Sequence, residues 1–179
     1  MAAALKLESV NFTMRNLSEE LDVSFAELME RRKTDEKYDY LLDEKLIELC
    51  RKDGVVFGSR LAIWLCENPD LRVWLGASLE ERTRRIAKRE NKSFEVALSE
   101  TKRRDAGDIS QYEKLYGIDV LKHDFADLKI NSEGMSVSEV AKKIVETAKR
   151  MAKEKQKPIP LPFPKKISET IEKKLKSNC

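Results

Sequence analysis

Residues 71–117 read LRVWLGASLEERTRRIAKRENKSFEVALSETKRRDAGDISQYEKLYG, and the rest of the chain is arranged around them. Val73-Trp74-Leu75 is an apolar run of strand type. It gives way at Gly76-Ala77-Ser78 to a helix, and Ser78 with Glu81 makes the S-x-x-E pattern that opens one. Arginines follow at 82, 84, 85 and 89, and again at 103 and 104, with Asp105 and Asp108 close behind. Guanidinium groups pair bidentately with phosphate oxygens, so a strand delivering an arginine-rich helix suits a protein that handles several phosphates at once. The competing reading is a solvated helix laced with ion pairs, which for any single charge cluster is the commoner case.

Working outward from this stretch, the pattern repeats. Ser9–Phe12 is a short strand candidate, and Thr13–Leu17 enters a helix. Met1–Leu7 reads as the end of an amphipathic helix. Ser24 and Glu27 form a second capping pattern. Tyr38, Leu41, Leu42, Leu46 and Leu49 share one helical face that ends at Asp53-Gly54. Val55-Val56-Phe57 is an unbroken apolar run of the kind that sits in a strand covered on both faces. Gly58-Ser59-Arg60 closes it before the short apolar helix 61–66. A turn is expected at Glu90-Asn91-Lys92, then a long helix from Phe94 towards Tyr116, ended by Gly117. Asp127–Ile130 is the last strand candidate, and Ser136 with Glu139 caps a final helix whose buried face is Val137, Val140, Ala141, Ile144, Val145 and Ala148. Strands alternating with helices at this spacing predict an α/β domain built on a parallel sheet flanked by helices. Ligands of such sheets bind beyond the carboxyl ends of the strands. Arg15, Arg60, Ser78 and Asn131 all fall there.

Composition bounds the function. The 179 residues suffice for one domain with a full core, and 37% charged against 41% apolar residues gives an ionised surface without a disordered composition. From Lys149 onward ten Lys/Arg face three Asp/Glu, a net +7, so residues 1–148 carry −4 within a chain of +3. An acidic body argues against a general nucleic-acid-binding surface. No stretch has the length of a membrane span or of a signal peptide, and no membrane partner is expected. Cys50, Cys66 and Cys179 have no metal spacing, leave one thiol unpaired at best, and fit a reducing compartment; they read as structural or incidental, and a cytoplasmic location is expected. Lys157-Pro-Ile-Pro-Leu-Pro-Phe-Pro-Lys165 should be extended, and 167–175 is expected to add a basic amphipathic turn or two. The expected division is therefore a domain over 1–150 and a Pro-rich basic extension over 151–179, read as a solvated tail.

Three runs, Asp53-Gly-Val-Val-Phe-Gly-Ser-Arg60, Val73-Trp-Leu-Gly-Ala-Ser-Leu-Glu-Glu-Arg-Thr-Arg-Arg-Ile-Ala-Lys-Arg89 and Tyr116-Gly-Ile-Asp119, together resemble the cytidylate kinases. The likeness is to their short, archaeal-type branch within the adenylate-kinase-like fold, and it covers most of residues 5–148. It implies transfer of the γ-phosphate of ATP to CMP or dCMP, with Mg²⁺ on the donor phosphates, by a nucleotide-binding enzyme of pyrimidine nucleotide metabolism, expected as a monomer. Arg15 sits where the family has an arginine that grips the acceptor phosphate, and Arg60 matches one that contacts the nucleoside monophosphate. Arg85 and Arg89 match arginines that reach the donor triphosphate. Arg104-Asp105-Ala-Gly-Asp108 is similar to an Arg-Asp-x-x-Asp motif in a lid, here about residues 88–110, where the arginine meets phosphate and the second aspartate meets the acceptor's sugar. Arg104, Arg85 and Arg89 are thus the implied catalytic residues. Asp39 and Asp43 recur in the archaeal-type pattern as base or scaffold contacts, and Asn131-Ser132 lies where the donor's adenine is usually held.

The likeness has gaps. Neither Gly-x-x-x-x-Gly-Lys-Ser/Thr nor the relaxed glycine-rich loop of the family occurs in the sequence. That loop cradles the donor phosphates with backbone N–H groups. The strand leading into it is the central one of the family's sheet, so two strand edges are expected to lack their neighbour. A natural start roughly twenty residues upstream is expected. Gln111 stands where the lid motif often carries another arginine, and Gly58-Ser59 replaces a Glu-Gly pair. Two other readings stay open: a nucleotide-binding or regulatory module without the phosphate loop, and an RNA-associated protein using the basic tail. Arg82, Arg84 and Arg103 can equally be solvated or paired with Glu80, Glu81 and Glu100. Trp64 and Trp74 read as core, and His123 as a surface residue.

Overall fold

The computed structural model describes residues 1–177, so Cys179 lies outside the described residues. The chain divides into two compact units, 1–70 with 154–179, and 71–153. Each holds one two-stranded parallel ladder between helices.

In the first unit the order is α1 (Ala2–Leu5), β1 (Glu8–Val10), α2 (Met14–Glu20), α3 (Phe25–Thr34), α4 (Lys37–Cys50), β2 (Val55–Phe57), α5 (Ala62–Leu65) and, from the far end of the sequence, α9 (Phe163–Ser177). β1 runs parallel to β2 with Glu8, Ser9 and Val10 opposite Val55, Val56 and Phe57. The first strand therefore lies earlier than the expected Ser9–Phe12. Asn11 and Phe12 belong instead to the run into α2, where Thr13 and Asn16 form a capping box: the Thr13 N–H donates to Asn16 Oδ1 at 3.0 Å. Ser24 opens α3 as expected, accepting from the Glu27 N–H at 3.1 Å. The core collects Leu28, Tyr40, Leu46, Ile47, Leu61, Trp64 and Leu65, joined by Ile167 and Ile171 of α9.

Two features of this unit depart from expectation. The segment expected to give a basic turn or two is a 15-residue helix, α9, that packs against α4 and α5 and buries Pro164, Ile167 and Ile171. Its apolar residues recur at three- and four-residue spacing amid lysines, which is enough for a helix once a partner covers that face. Cys50 and Cys66, read as structural or incidental cysteines of a reducing compartment, are joined in a disulfide with a Cα–Cα distance of 5.4 Å. The end of α4 and the residue after α5 are brought together by packing that residues 16 positions apart do not advertise in the sequence.

The second unit holds β3 (Val73–Gly76), α6 (Leu79–Glu90), α7 (Phe94–Tyr116), β4 (Leu128–Asn131) and α8 (Val137–Glu154, its last residue assigned to the first unit). β3 and β4 pair in parallel with Val73 opposite Leu128 and Gly76 opposite Asn131. The Trp74 ring folds over Gly76, where a Cβ would meet ring carbons at 2.2 Å, so only glycine fits there. Trp74 also stacks on His123, with centroids 3.6 Å apart and planes 3° from parallel. α6 ends at Asn91 in the left-handed region, and α7 ends at Gly117 with φ +65°. The turn at 90–92 and the stop at Gly117 thus match the sequence reading. α6 and α7 form a hairpin around fully buried Thr83 and Ala97, with Thr101 beside them.

Candidate functional site

Each unit gathers one set of the residues singled out above. In the first, the parallel pairing of Val10 with Phe57 brings the carboxyl ends of β1 and β2 side by side. Arg15, in the first turn of α2, leaves from one end, and Arg60, just past Gly58-Ser59, leaves from the other. Both are exposed. The Arg15 guanidinium lies 4.5 Å from the centroid of the Phe25 ring, a contact that steadies a long cation without neutralising it.

Asp39 and Asp43 occupy adjacent turns of α4 and are only 5% and 3% exposed. Burying carboxylates is costly unless they are paired. Arg32 of α3 supplies one partner: its Nε donates to Asp39 Oδ1 at 2.7 Å. The Tyr40 phenol is held above its ordinary value of 10.0, first by burial and then by the negative charges of Glu36, Asp39 and Asp43 around it. Arg32 was not among the expected site residues. It sits in the run Glu30-Arg31-Arg32-Lys33, where nothing local distinguishes the cation that turns inward from those that do not.

In the second unit the strand ends are again the organising feature. Ser132, directly after β4, donates its N–H to the Gly76 carbonyl at 2.7 Å and its hydroxyl to the same oxygen at 2.9 Å. Arg85 is anchored on this turn: Nη1 donates to Ser132 Oγ at 3.1 Å, Nη2 to the Ser132 carbonyl at 2.6 Å, and Nε to Glu81 at 2.8 Å. The expected box at Ser78 is only half formed. Ser78 Oγ accepts from the Glu81 N–H at 3.2 Å, but Glu81 turns to Arg85, and the Ser78 hydroxyl donates to Glu133 at 2.6 Å. Asn131 Oδ1 accepts from the Glu133 N–H at 3.1 Å, which shapes the same turn.

Along the hairpin, Arg82 of α6 reaches Asp105 of α7 at 2.7 Å, tying the two helices. Arg84 pairs with Glu80, as the solvated-helix reading expects, whereas Glu100 pairs with Lys92 at 2.7 Å and not with Arg103. Arg89 is exposed and meets Glu90 at 2.8 Å. Arg104 is exposed on α7, with half-buried Asp108 one turn on. Trp64 is buried in the core as expected, and half-buried His123 lies against Trp74 with Nδ1 2.7 Å from the Leu121 carbonyl oxygen. Each unit carries its own cations: exposed Arg15 and Arg60 in the first, and in the second Arg85, anchored on Ser132, with Arg89 and Arg104 exposed. Cations so placed can hold and neutralise phosphate oxygens. Among the described residues no cluster of three or more His, Cys, Asp or Glu could hold a metal ion. No helix is long and apolar enough to cross a membrane among them either.

A family model described as cytidylate kinase-like matches residues 4–134. Among individual proteins, the chain is 37% identical over 148 residues to a cytidylate kinase of Ignicoccus hospitalis, covering 82% of this chain and 84% of that one. It is 34% identical over 138 residues to cytidylate kinase 2 of Borreliella afzelii, covering 75% and 78%. It is 35% identical over 144 residues to a cytidylate kinase of Haloquadratum walsbyi, covering 78% and 75%. No solved structure matches the chain at a significant level.

Proposed function

The chain belongs to the cytidylate kinase-like family, and from that premise we propose that it transfers the γ-phosphate of ATP to CMP or dCMP. In this reading the first unit receives the monophosphate. Arg15 and Arg60, at the carboxyl ends of β1 and β2, take its phosphate. Asp39, held by Arg32, and Asp43 frame its base. The second unit supplies the donor's contacts: Arg85 and Arg89 for the triphosphate, the Asn131-Ser132 turn for adenine, and Arg104 with Asp105 and Asp108 for the transferred group and the acceptor's sugar. The observation that carries the reading is Arg85, fixed by Ser132 and Glu81 at the carboxyl end of the β3–β4 ladder.

The acceptor is already an ionised phosphate, so no general base is required. An acceptor oxygen attacks the γ-phosphorus as its bond to the ADP oxygen breaks, and the protein's task is positioning and charge stabilisation. Arginines lessen the repulsion between the two anionic substrates. Mg²⁺ enters this account as the companion of the ATP phosphates. A cytoplasmic monomer acting on free nucleotides completes the proposal.

Steady-state transfer from Mg·ATP to CMP, dCMP, UMP and AMP tests it. Turnover is expected on CMP and dCMP first. Arg104→Ala should reduce it by about 10- to 100-fold, as loss of a charge-assisted phosphate contact does. The alternative is a module that binds CMP and does not turn over. A folded chain that binds CMP and ignores ATP would select that alternative.

A further inference from the structure

The helix α9 lies beyond residues 4–134, the span that the family model matches, yet its inner face is among the best buried in the chain. Ile167 is 2% exposed, Ile171 1%, and Pro164 is fully buried. This face packs on α4 and on α5. α4 carries Asp39 and Asp43, and α5 begins two residues after Arg60. The disulfide between Cys50 and Cys66 joins the ends of the same two helices. Two devices thus converge on one pair of elements, a packed apolar face and a covalent link, while the Arg32–Asp39 ion pair ties the entry of α4 to α3.

We propose that α9 is a positioning strut for acceptor recognition: it fixes α4 against α5 and thereby sets the affinity for the nucleoside monophosphate. This rests on the acceptor-site reading given above. Ile171 and Ile167 are positioning residues, acting through the helices that bear Asp39, Asp43 and Arg60. An interface without voids transmits displacement, because close-packed side chains leave little room to absorb it. Removing methylenes from Ile171 opens a cavity between α9 and its partners, and α4 can then occupy more than one position. The lysines of α9 play no part in this role; they keep its outer face in water.

The test compares Ile171→Ala with Ile144→Ala, a matched truncation in α8 within the second unit, where Ile144 is also buried. CMP affinity is measured by calorimetry on the full chain, and amide hydrogen exchange is followed helix by helix. Both variants should lower the thermal midpoint. Only Ile171→Ala should weaken CMP binding, by about tenfold, the size of a typical coupling between distant sites, and speed exchange in α4 and α5 while leaving α6 and α7 unchanged. Should Ile171→Ala not fold, Ile167→Val, one methylene smaller, is expected to shift both readouts in the same direction by less. Unchanged CMP affinity in a folded α9 variant of a chain that does bind CMP overturns the strut alone. Absence of CMP binding by the intact chain overturns the acceptor site instead, and exchange in α4 that is indifferent to Ile171→Ala then removes the strut as well.

Discussion

Arg32 is the residue whose role depends most on context. Its neighbours Arg31 and Lys33 pair with Glu27 and Glu30 within the exposed surface of α3, while Arg32 alone crosses to a buried carboxylate. Charge pairs on a surface are worth little, but a cation serving a buried carboxylate offsets a desolvation cost. Arg32→Ala is therefore expected to cost about 1–3 kcal/mol, read as a lower midpoint in thermal unfolding, with Arg32→Lys recovering part of it. Arg31→Ala should leave the thermal midpoint almost unchanged. Sequence reasoning reached Asp39 and Asp43 through a family pattern and missed Arg32, because a run of like charges carries no periodic signal to single out one member. It named Arg85 and Arg89 through the family resemblance, but not the anchoring of Arg85 on Ser132, which spans 47 positions.

At the scale of elements, the signals that proved legible were local ones. Ser24, Ser78 and Ser136 each stand three residues before a glutamate, and each opens a helix whose backbone N–H bonds to the serine side chain. The box at Ser136 is complete: its N–H donates to Glu139 at 2.8 Å and the Glu139 N–H returns to Ser136 Oγ at 3.3 Å. These bonds, the hydroxyl's first and the backbone's second, hold the Glu139 carboxyl below its usual 4.5. A depressed carboxylate stabilises the helix start above the ordinary value, and that contribution is lost as pH falls through the lowered one. Titration of Glu139 by NMR should show a midpoint below 4.5 that moves back up in Ser136→Ala. An unshifted midpoint would remove the box. Where partners are distant in sequence, the reading failed. α9 looked like a charged tail because only its docking on α4 and α5 reveals that Ile167 and Ile171 are core. The hairpin tie between Arg82 and Asp105 was hidden for the same reason.

Among the described residues each unit is built on one parallel ladder, β1–β2 or β3–β4, with candidate residues at its carboxyl end. A parallel α/β architecture was legible from alternation of apolar runs and helical faces. Two strand edges without a neighbour were also expected, and the described residues form two two-stranded ladders. The covalent link of Cys50 to Cys66 was not legible, since no spacing rule picks that pair from three cysteines. A closed loop of this length should contribute about 3 kcal/mol by restricting the unfolded chain. Dithiothreitol is thus expected to lower the thermal midpoint by several degrees, and the Cys50→Ser variant should start lower and ignore the reductant. Equal midpoints with and without reductant would show that the pair stands as thiols, as a reducing cytoplasm would keep it.

Both forms of the functional proposal, with turnover or without, require that the first unit recognise a pyrimidine monophosphate. Calorimetric titration of the intact chain with CMP and with AMP tests this most directly, with Arg60→Ala as the companion variant. The account predicts saturable binding of CMP, weaker binding of AMP, and a loss of about tenfold or more in CMP affinity on removing Arg60. Failure of the folded chain to bind CMP, or binding indifferent to the base and to Arg60, would contradict it.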